Sequence, residues 1–147
     1  MSGGGPFCGR EREKTMEEIM LEWAKAIHRE NPVVDAHLDL AAEVYARRMY
    51  GERDVVERYY LPRFEEAFLN VCVSSVFVSS RDLPERGLHT AVAQIAALRE
   101  DLEPVSSRIR VVTDLSELEE SLREGRIAVL LSLEGLDPVG ADLYLLR

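Results

Sequence analysis

The segment around which the chain is organised reads Pro32-Val33-Val34-Asp35-Ala36-His37-Leu38-Asp39. It predicts a short buried strand from Val33 to Ala36, which delivers a histidine and an aspartate two residues apart at its end. Because side chains alternate along a strand with a period of two, His37 and Asp39 can project to the same side. A neutral imidazole and a carboxylate are ligands of zinc and other divalent first-row metals. His-x-Asp is common by chance, so this interpretation needs support from the rest of the chain.

A second informative segment lies near the other end of the chain and reads Ile127-Ala128-Val129-Leu130-Leu131-Ser132-Leu133-Glu134-Gly135. Its near-continuous apolar run is typical of a strand covered on both faces, and such strands belong to parallel sheets. The run ends abruptly in Glu134, and Gly135 lets the chain turn away from the sheet. The segment therefore predicts a carboxylate at the end of a buried strand.

Strands and helices alternate along the chain. Hydrophobic periodicity, capping residues and prolines predict strands at residues 33–36, 71–78, 109–112 and 127–133, and helices at 15–29, 40–50, 52–60 and 84–103, after Asp114, and from Asp137-Pro138 onwards. This alternation predicts an α/β fold with mostly parallel strands. Ligands of such folds collect at the C-terminal ends of the strands, where His37, Asp39 and Glu134 all lie. These three residues are the predicted metal ligands.

The composition of the chain excludes several classes of function. Its 147 residues suffice for one domain with a core, and the hydrophobic fraction of 46% suits a globular protein. A net charge of −9 argues against nucleic acid and against an anionic membrane surface as partners. No apolar run reaches the roughly 18–20 residues of a membrane span, and the N-terminus lacks the apolar region of a secretory signal. We therefore expect a cytoplasmic protein with no nucleic-acid or membrane partner.

The first 13 residues are rich in glycine and then in charge, which predicts a disordered leader ahead of a folded domain at residues 14–147. Cys8 lies in this leader and Cys72 in a predicted buried strand. The two cysteines form no Cys-x-x-Cys motif and define no disulfide framework. Both are interpreted as thiols without a metal.

No other residue stands out as a catalytic group. No Gly-x-Ser-x-Gly segment surrounds any of the serines within or directly after the second predicted strand, so these are interpreted as small strand residues: Ser74, Ser75, Ser79 and Ser80. His28 and His89 lie on predicted helices, where an isolated histidine is usually a partly exposed side chain. Catalytic and substrate-binding residues therefore stay unassigned.

Two segments give the chain a recognisable family resemblance. The stretch from Val33 to Leu40 resembles the opening motif of the membrane dipeptidase (renal dipeptidase) family of metallopeptidases, and Glu124 to Gly135 resembles that family's second metal segment. The stretch from Leu61-Pro62-Arg63-Phe64 into residues 71–78 is similar to the family as well. The resemblance covers about Pro32 to Arg147. His-x-Asp alone is also shared with the wider amidohydrolase-like group.

The resemblance implies a (β/α) barrel that holds two zinc ions. His37 and Asp39 would bind one ion, and Glu134 would bridge both. A hydroxide that bridges the metals would attack the peptide carbonyl of a dipeptide, with the metals polarising that carbonyl. Asp35 would support the strand without being a ligand.

The chain departs from the family pattern in its length. A complete barrel of this type needs about 250 residues. The family places two further histidine ligands and an acidic catalytic residue beyond Glu134, and no histidine follows Glu134 in this sequence. We therefore expect the N-terminal part of a dipeptidase barrel, with one metal half-site and no activity on its own.

One further expectation follows from this interpretation, and two alternatives to it stay open. A partial (β/α) barrel leaves open sheet edges, which predicts self-association or pairing with a complementary fragment. The first alternative to an incomplete dipeptidase is a non-catalytic half-barrel that serves as a binding or oligomerisation module. The second is another amidohydrolase-type hydrolase that shares His-x-Asp, and Glu134-Gly135 ranks this alternative below the dipeptidase.

Overall fold

The computed structural model describes residues 12–146, so the predicted disordered leader lies almost entirely outside the described residues. The helices are α1 (Met16–Glu30), α2 (Leu40–Met49), α3 (Leu61–Glu66), α4 (Gly87–Leu102) and α5 (Leu115–Arg123). The strands are β1 (Val33–Leu38), β2 (Leu69–Val76), β3 (Ile109–Val111) and β4 (Ile127–Leu133). A π-helix spans Val56–Tyr60, and 3-10 turns span Ser80–Asp82, Glu103–Val105, Asp137–Val139 and Leu143–Leu146.

Contacts divide the chain into two compact units, with the boundary between Asn31 and Pro32. The first unit carries α1, which begins with a capping box, as the sequence predicts. The Thr15 hydroxyl accepts the backbone N–H of Glu18, and the Glu18 carboxylate accepts the backbone N–H of Thr15 at 2.7 Å. Two donors at the helix start are satisfied in this way.

The second unit is built on a four-stranded sheet with the order β1-β2-β4-β3, and every neighbouring pair is parallel. The predicted α/β class with parallel strands is confirmed, and the sheet is open. The strand β3 pairs only with the first half of β4, from Ile127 to Val129. The second half of β4 is therefore paired on one side only, by β2.

Apolar side chains cover both faces of this sheet. On the first face, Cys72 and Val129 belong to a core that includes Leu40 and Val44 of α2 and Leu98 of α4. Alternate strand residues point to the second face. There, a smaller core joins β2, β4 and the residue after β3 to α5: Val71, Val112 and Ala128, with Leu118, Leu122 and Leu130 packed against them. The helices therefore do not all lie on one side of the sheet.

The helix expected from Asp137-Pro138 onwards is wrong. The structure has two short 3-10 turns there, Asp137–Val139 and Leu143–Leu146. Between them, Gly140 has φ 55° and ψ −125°, a backbone conformation that only glycine adopts readily. This residue breaks the helical path that the apolar spacing of Leu143 and Leu146 suggests.

Smaller differences concern element boundaries. The first strand extends two residues beyond its predicted end, to Leu38, and the prediction that it is buried is wrong, because β1 is an edge strand with no buried residue. The second strand runs from Leu69 to Val76 instead of from Val71 to Val78. The predicted helix at residues 52–60 is the π-helix Val56–Tyr60, which continues directly into α3. Among residues 12–146, no helix is both long enough and apolar enough to cross a membrane.

Candidate metal centre

A bulge in β1 decides the side of the sheet on which His37 lies. In the pairing with β2, Asp35 is opposite Cys72 and Leu38 is opposite Ser74, so three steps along β1 match two steps along β2. The extra residue breaks the alternation between Asp35 and His37 and places these two side chains on opposite faces. The backbone N–H of His37 donates to the Asp35 carboxylate at 3.1 Å. Asp35 thus supports the strand end, as expected.

Asp39 approaches the imidazole of His37 from outside β1. It is the N-cap residue of α2, with φ −77° and ψ 35°, and its side chain makes no capping hydrogen bond. The backbone N–H of Ala41, in the first turn of this helix, donates instead to the hydroxyl of Ser74 on β2, at 3.0 Å. The Asp39 carboxylate is therefore not occupied with the helix terminus.

Glu134 stands directly after β4. Its backbone N–H donates to the carbonyl of Val76 at 2.9 Å, which extends the β2–β4 pairing by one step and fixes the backbone. Gly135 follows at φ 81°, a conformation that suits glycine, and turns the chain away from the sheet. The structure agrees here with the role that the sequence suggests for the glycine.

The structure brings the three predicted ligand side chains together. The Nε2 atom of His37 lies 3.5 Å from Oδ1 of Asp39 and 3.6 Å from Oε2 of Glu134. All three donor atoms lie within 4.8 Å of one another. Each side chain is more than half exposed, so the group faces solvent. The role of these residues as ligands stays a prediction.

The donor set fits a divalent ion. Ligand atoms at about 2.1 Å from a tetrahedral zinc ion are roughly 3.4 Å apart. The His37 distances of 3.5 and 3.6 Å meet this requirement without rearrangement. Two carboxylates also bring two negative charges, which a divalent cation balances. Three protein ligands would leave a coordination position open, as in catalytic metal sites.

Ser75 is a neighbour of this group that the sequence analysis missed. Its hydroxyl lies 3.3 Å from Nδ1 of His37, on the side of the ring opposite to the carboxylates. No catalytic motif surrounds Ser74 or Ser75, so the sequence alone indicates only small strand residues at these positions. Only the register of β1 against β2, including the bulge, shows which of their neighbours they contact.

The remaining histidines and the described cysteine stay outside the group. His89 is an exposed residue of α4, and His28 lies on α1 in the other unit. Cys72 is fully buried, and burial raises the pKa of its thiol to about 12, with a further contribution from the Asp35 carboxylate. Among residues 12–146, no second set of three histidine, cysteine or carboxylate side chains comes close enough to share an ion.

Solved structures with a similar fold are dipeptidases and metallopeptidases. Dipeptidase AC aligns with a TM-score of 0.66 and 23% identity, over 78% of this chain and 38% of its own. A metallopeptidase from Rhodobacter sphaeroides, solved with a phosphinate mimic of the dipeptide L-Ala-D-Ala, aligns with a TM-score of 0.64 and 18% identity, over 78% of this chain and 41% of its own. The probable dipeptidase PvdM from Pseudomonas aeruginosa aligns with a TM-score of 0.67 and 16% identity, over 90% of this chain and 35% of its own.

These similarities establish the fold, and the chain spans between 35% and 41% of the length of the three structures. A search of curated protein sequences found no significant match. The profile of the membrane dipeptidase family, peptidase family M19, matches residues 21–147. Because this match extends over most of the sequence, the chain belongs to the membrane dipeptidase family of metallopeptidases.

Proposed function

We propose that this chain supplies the His37–Asp39–Glu134 part of the metal centre of a dipeptidase that hydrolyses the peptide bond of dipeptides. The observation that carries the proposal is the convergence of the three donor atoms to within 4.8 Å. They come from the C-terminal ends of β1 and β4 and from the start of α2, which is where parallel α/β folds bind ligands. Membership of a metallopeptidase family supports the same assignment.

The proposed metal is zinc, because zinc is commonly bound by imidazole nitrogens and carboxylate oxygens. When bound, zinc acts as a Lewis acid and lowers the pKa of water at the site. His37 and Asp39 would hold one ion, and Glu134 would be shared between this ion and a second one. Within residues 12–146, one group of three donors is assembled, and we propose that it is one half of the two-metal site.

The residues of this chain would fix ligands in place and leave room for substrate. The pairing of β4 with β2 holds the backbone of Glu134, and the bulge of β1 holds that of His37. Because the three side chains are more than half exposed, a peptide carbonyl could approach the ion from the solvent side. The Rhodobacter sphaeroides neighbour was solved with a dipeptide mimic, which supports dipeptides as the substrate class.

Zinc stoichiometry tests the proposed site. After dialysis against zinc and then against buffer, we expect about one zinc per chain by elemental analysis. His37→Ala and Glu134→Gln should lose the ion, whereas His89→Ala, which removes an exposed histidine outside the group, should keep it. Equal zinc in the wild type and the His37→Ala variant would exclude the site.

A hydrolysis assay tests the activity. We expect the chain alone, loaded with zinc, to leave a panel of dipeptides intact, because a second set of donors is not assembled among residues 12–146. Hydrolysis that His37→Ala abolishes would instead show that the chain is active by itself. Hydrolysis of other amides but not of dipeptides would indicate a different amidohydrolase-type activity.

A second function is a non-catalytic binding or oligomerisation module. The observation in its favour is the open sheet, in which β1 is an edge strand and the second half of β4 is paired on one side only. Absence of both zinc and hydrolysis, together with association of the chain, would favour this function over the dipeptidase.

A further inference from the structure

We infer that two adjacent serines of β2 position the first two ligands: Ser75 holds the imidazole of His37, and Ser74 keeps the carboxylate of Asp39 away from the helix terminus. This inference rests on the proposed metal site, but both contacts exist without the ion. Successive strand residues point to opposite faces of a sheet. One pair of neighbouring residues can therefore reach both sides of the junction between β1 and α2.

Ser75 contacts the ring nitrogen that does not face the carboxylates. It is 2% exposed, and its hydroxyl lies 3.3 Å from Nδ1 of His37. The opposite nitrogen, Nε2, is then directed at Asp39 and Glu134. A hydroxyl can donate or accept, so this contact persists whichever ring nitrogen carries the proton. Partners of this kind orient the imidazole ligands of metal sites.

His37 needs such a partner because its own surroundings restrain it little. The side chain is 63% exposed, and it lies within a bulge in an edge strand. An exposed side chain is free to populate several rotamers, and fixing one of them costs conformational entropy. The contact with a buried hydroxyl on a central strand selects one orientation before any ion binds.

Ser74 acts on Asp39 through the start of α2. An aspartate at the N-cap ordinarily accepts the backbone N–H of the second or third helical residue, which here would be Ala41 or Ala42. Ser74 is fully buried on the first face and already accepts the N–H of Ala41. The Asp39 side chain makes no capping bond and points instead to His37. Ser74 therefore removes one of the two local competitors for this carboxylate.

The Ser75 contact is tested with a pair of variants of equal size. Ser75→Thr keeps the hydroxyl and Ser75→Val does not, so any effect of added volume is common to both. We expect zinc affinity, measured by competition with a chromophoric chelator, to be at least about tenfold weaker for Ser75→Val than for Ser75→Thr. Ser132→Ala, at the position opposite Ser75 on β4, is the control and should bind like the wild type. Equal affinities of the Thr and Val variants would overturn the role of Ser75.

A measurement on the metal-free chain separates this inference from the proposed function. In the wild type, NMR should show contacts between the His37 ring protons and the Ser75 side chain, and one set of ring signals. The Ser75→Val variant should lose the single orientation while the Ser75→Thr variant keeps it. If the wild type binds no zinc, the proposed function fails, and these spectra still decide whether Ser75 orients His37. Several ring orientations in the wild type would overturn the inference.

The Ser74 contact is tested by hydrogen exchange at the amide of Ala41. In Ser74→Ala, we expect this amide to stay protected because the Asp39 carboxylate takes it, while zinc affinity falls about tenfold. In the double variant Ser74→Ala/Asp39→Ala, the amide should exchange at least about tenfold faster than in the single variant. Equally fast exchange in the single and double variants would show that Asp39 does not compete for the helix terminus, and would overturn the role of Ser74.

Discussion

Asp35 holds the backbone of the first ligand, whereas Ser75 contacts its ring. The Asp35 carboxylate accepts the backbone N–H of His37 within the bulge of β1. Because this N–H has no strand partner there, we expect Asp35→Ala to weaken zinc binding about tenfold. The loss of one hydrogen bond should lower the free energy of unfolding by about 1 kcal/mol.

The matched control for this prediction is Asp35→Asn, which retains an oxygen acceptor at the same position. We expect its zinc affinity, by chelator competition, and its urea unfolding curve to lie close to those of the wild type. A loss of affinity in Asp35→Asn as large as in Asp35→Ala would indicate that the charge, and not the hydrogen bond, matters.

Cys72 gives a prediction for pH dependence. Burial raises the pKa of its thiol from 9.0 to about 12, so the neutral thiol is favoured in the folded chain. The corresponding contribution to stability is complete below pH 9.0 and is lost as the pH rises towards about 12, because the unfolded chain ionises first. In a Cys8→Ser background, urea unfolding should therefore show falling stability above pH 9.0, and Cys72→Ala should fall less steeply.

The sequence predicted which residues meet, but not what surrounds them. His37 and Asp39 lie at or directly after the end of the edge strand β1, and Glu134 directly follows β4. The common end of parallel strands brings such residues together. The bulge that puts His37 on the side of Ser75 depends on an extra residue in β1, which no local pattern reveals. The sequence also gives no sign of the role of Ser74. Asp39 is itself a favourable N-cap residue, so the sequence suggests that Asp39 caps α2. Both contacts depend on strand register, which is a tertiary property.

At the scale of elements, Asp101 of α4 holds two other segments in place. Its side chain is fully buried, and its carboxylate accepts from the Arg48 guanidinium of α2 at 3.1 Å. The same carboxylate accepts the backbone N–H groups of Val55 and Val56, at the start of the π-helix. One charged group thus satisfies three donors from segments that are separate in sequence.

We expect Asp101→Ala to lower the free energy of unfolding by about 3–5 kcal/mol, because it removes the buried partner of Arg48 and leaves the N–H groups of Val55 and Val56 without their acceptor. Glu100 also pairs with Arg48, but its side chain is 68% exposed. Glu100→Gln is therefore the matched control and should cost less than about 1 kcal/mol. Urea unfolding of the two variants checks the prediction, and equal losses would contradict the assigned role of Asp101.

Element types were predictable where periodicity and caps agree. The capping residues Thr15 and Asp114 mark the starts of α1 and α5, and the apolar run at Ile127–Leu133 coincides with β4. The helix predicted after Asp137 is absent. The leucine spacing there is helical, but Gly140 adopts a conformation that interrupts the helical path. A glycine permits such a conformation but does not require it, so the sequence alone does not predict the break.

At the scale of the whole molecule, the strand order departs from simple succession. Helical crossovers predict that strands consecutive in sequence are neighbours in the sheet. Instead, β2 pairs with β4, and the short β3 lies at the edge of the sheet, on the other side of β4. The pattern of the sequence gives the α/β class, but not which strand lies next to which, because the three residues of β3 carry too little information to fix their partner. This order leaves β4 residues beyond Val129 without a neighbour on the β3 side.

Open edges at both sides of the sheet predict association of the chain. Edge strands present unpaired backbone groups, and the exposed apolar residues Val34 of β1 and Leu133 of β4 lie on such edges. We expect the chain to form concentration-dependent dimers or larger species in sedimentation experiments. Val34→Lys and Leu133→Lys should each weaken this association about tenfold, since an ammonium group replaces apolar surface at the contact.

The control for edge pairing is Leu115→Lys, which makes the same change at an apolar residue of α5 that is 68% exposed. If association proceeds through the sheet edges, Leu115→Lys should sediment like the wild type, whereas association through scattered apolar surface would respond equally to all three substitutions. Association is measured with and without zinc, because the predicted metal ligands lie at the ends of β1 and β4 or directly after them, and these are the strands that would pair. A wild-type chain that stays monomeric at all concentrations, with and without zinc, would contradict edge pairing.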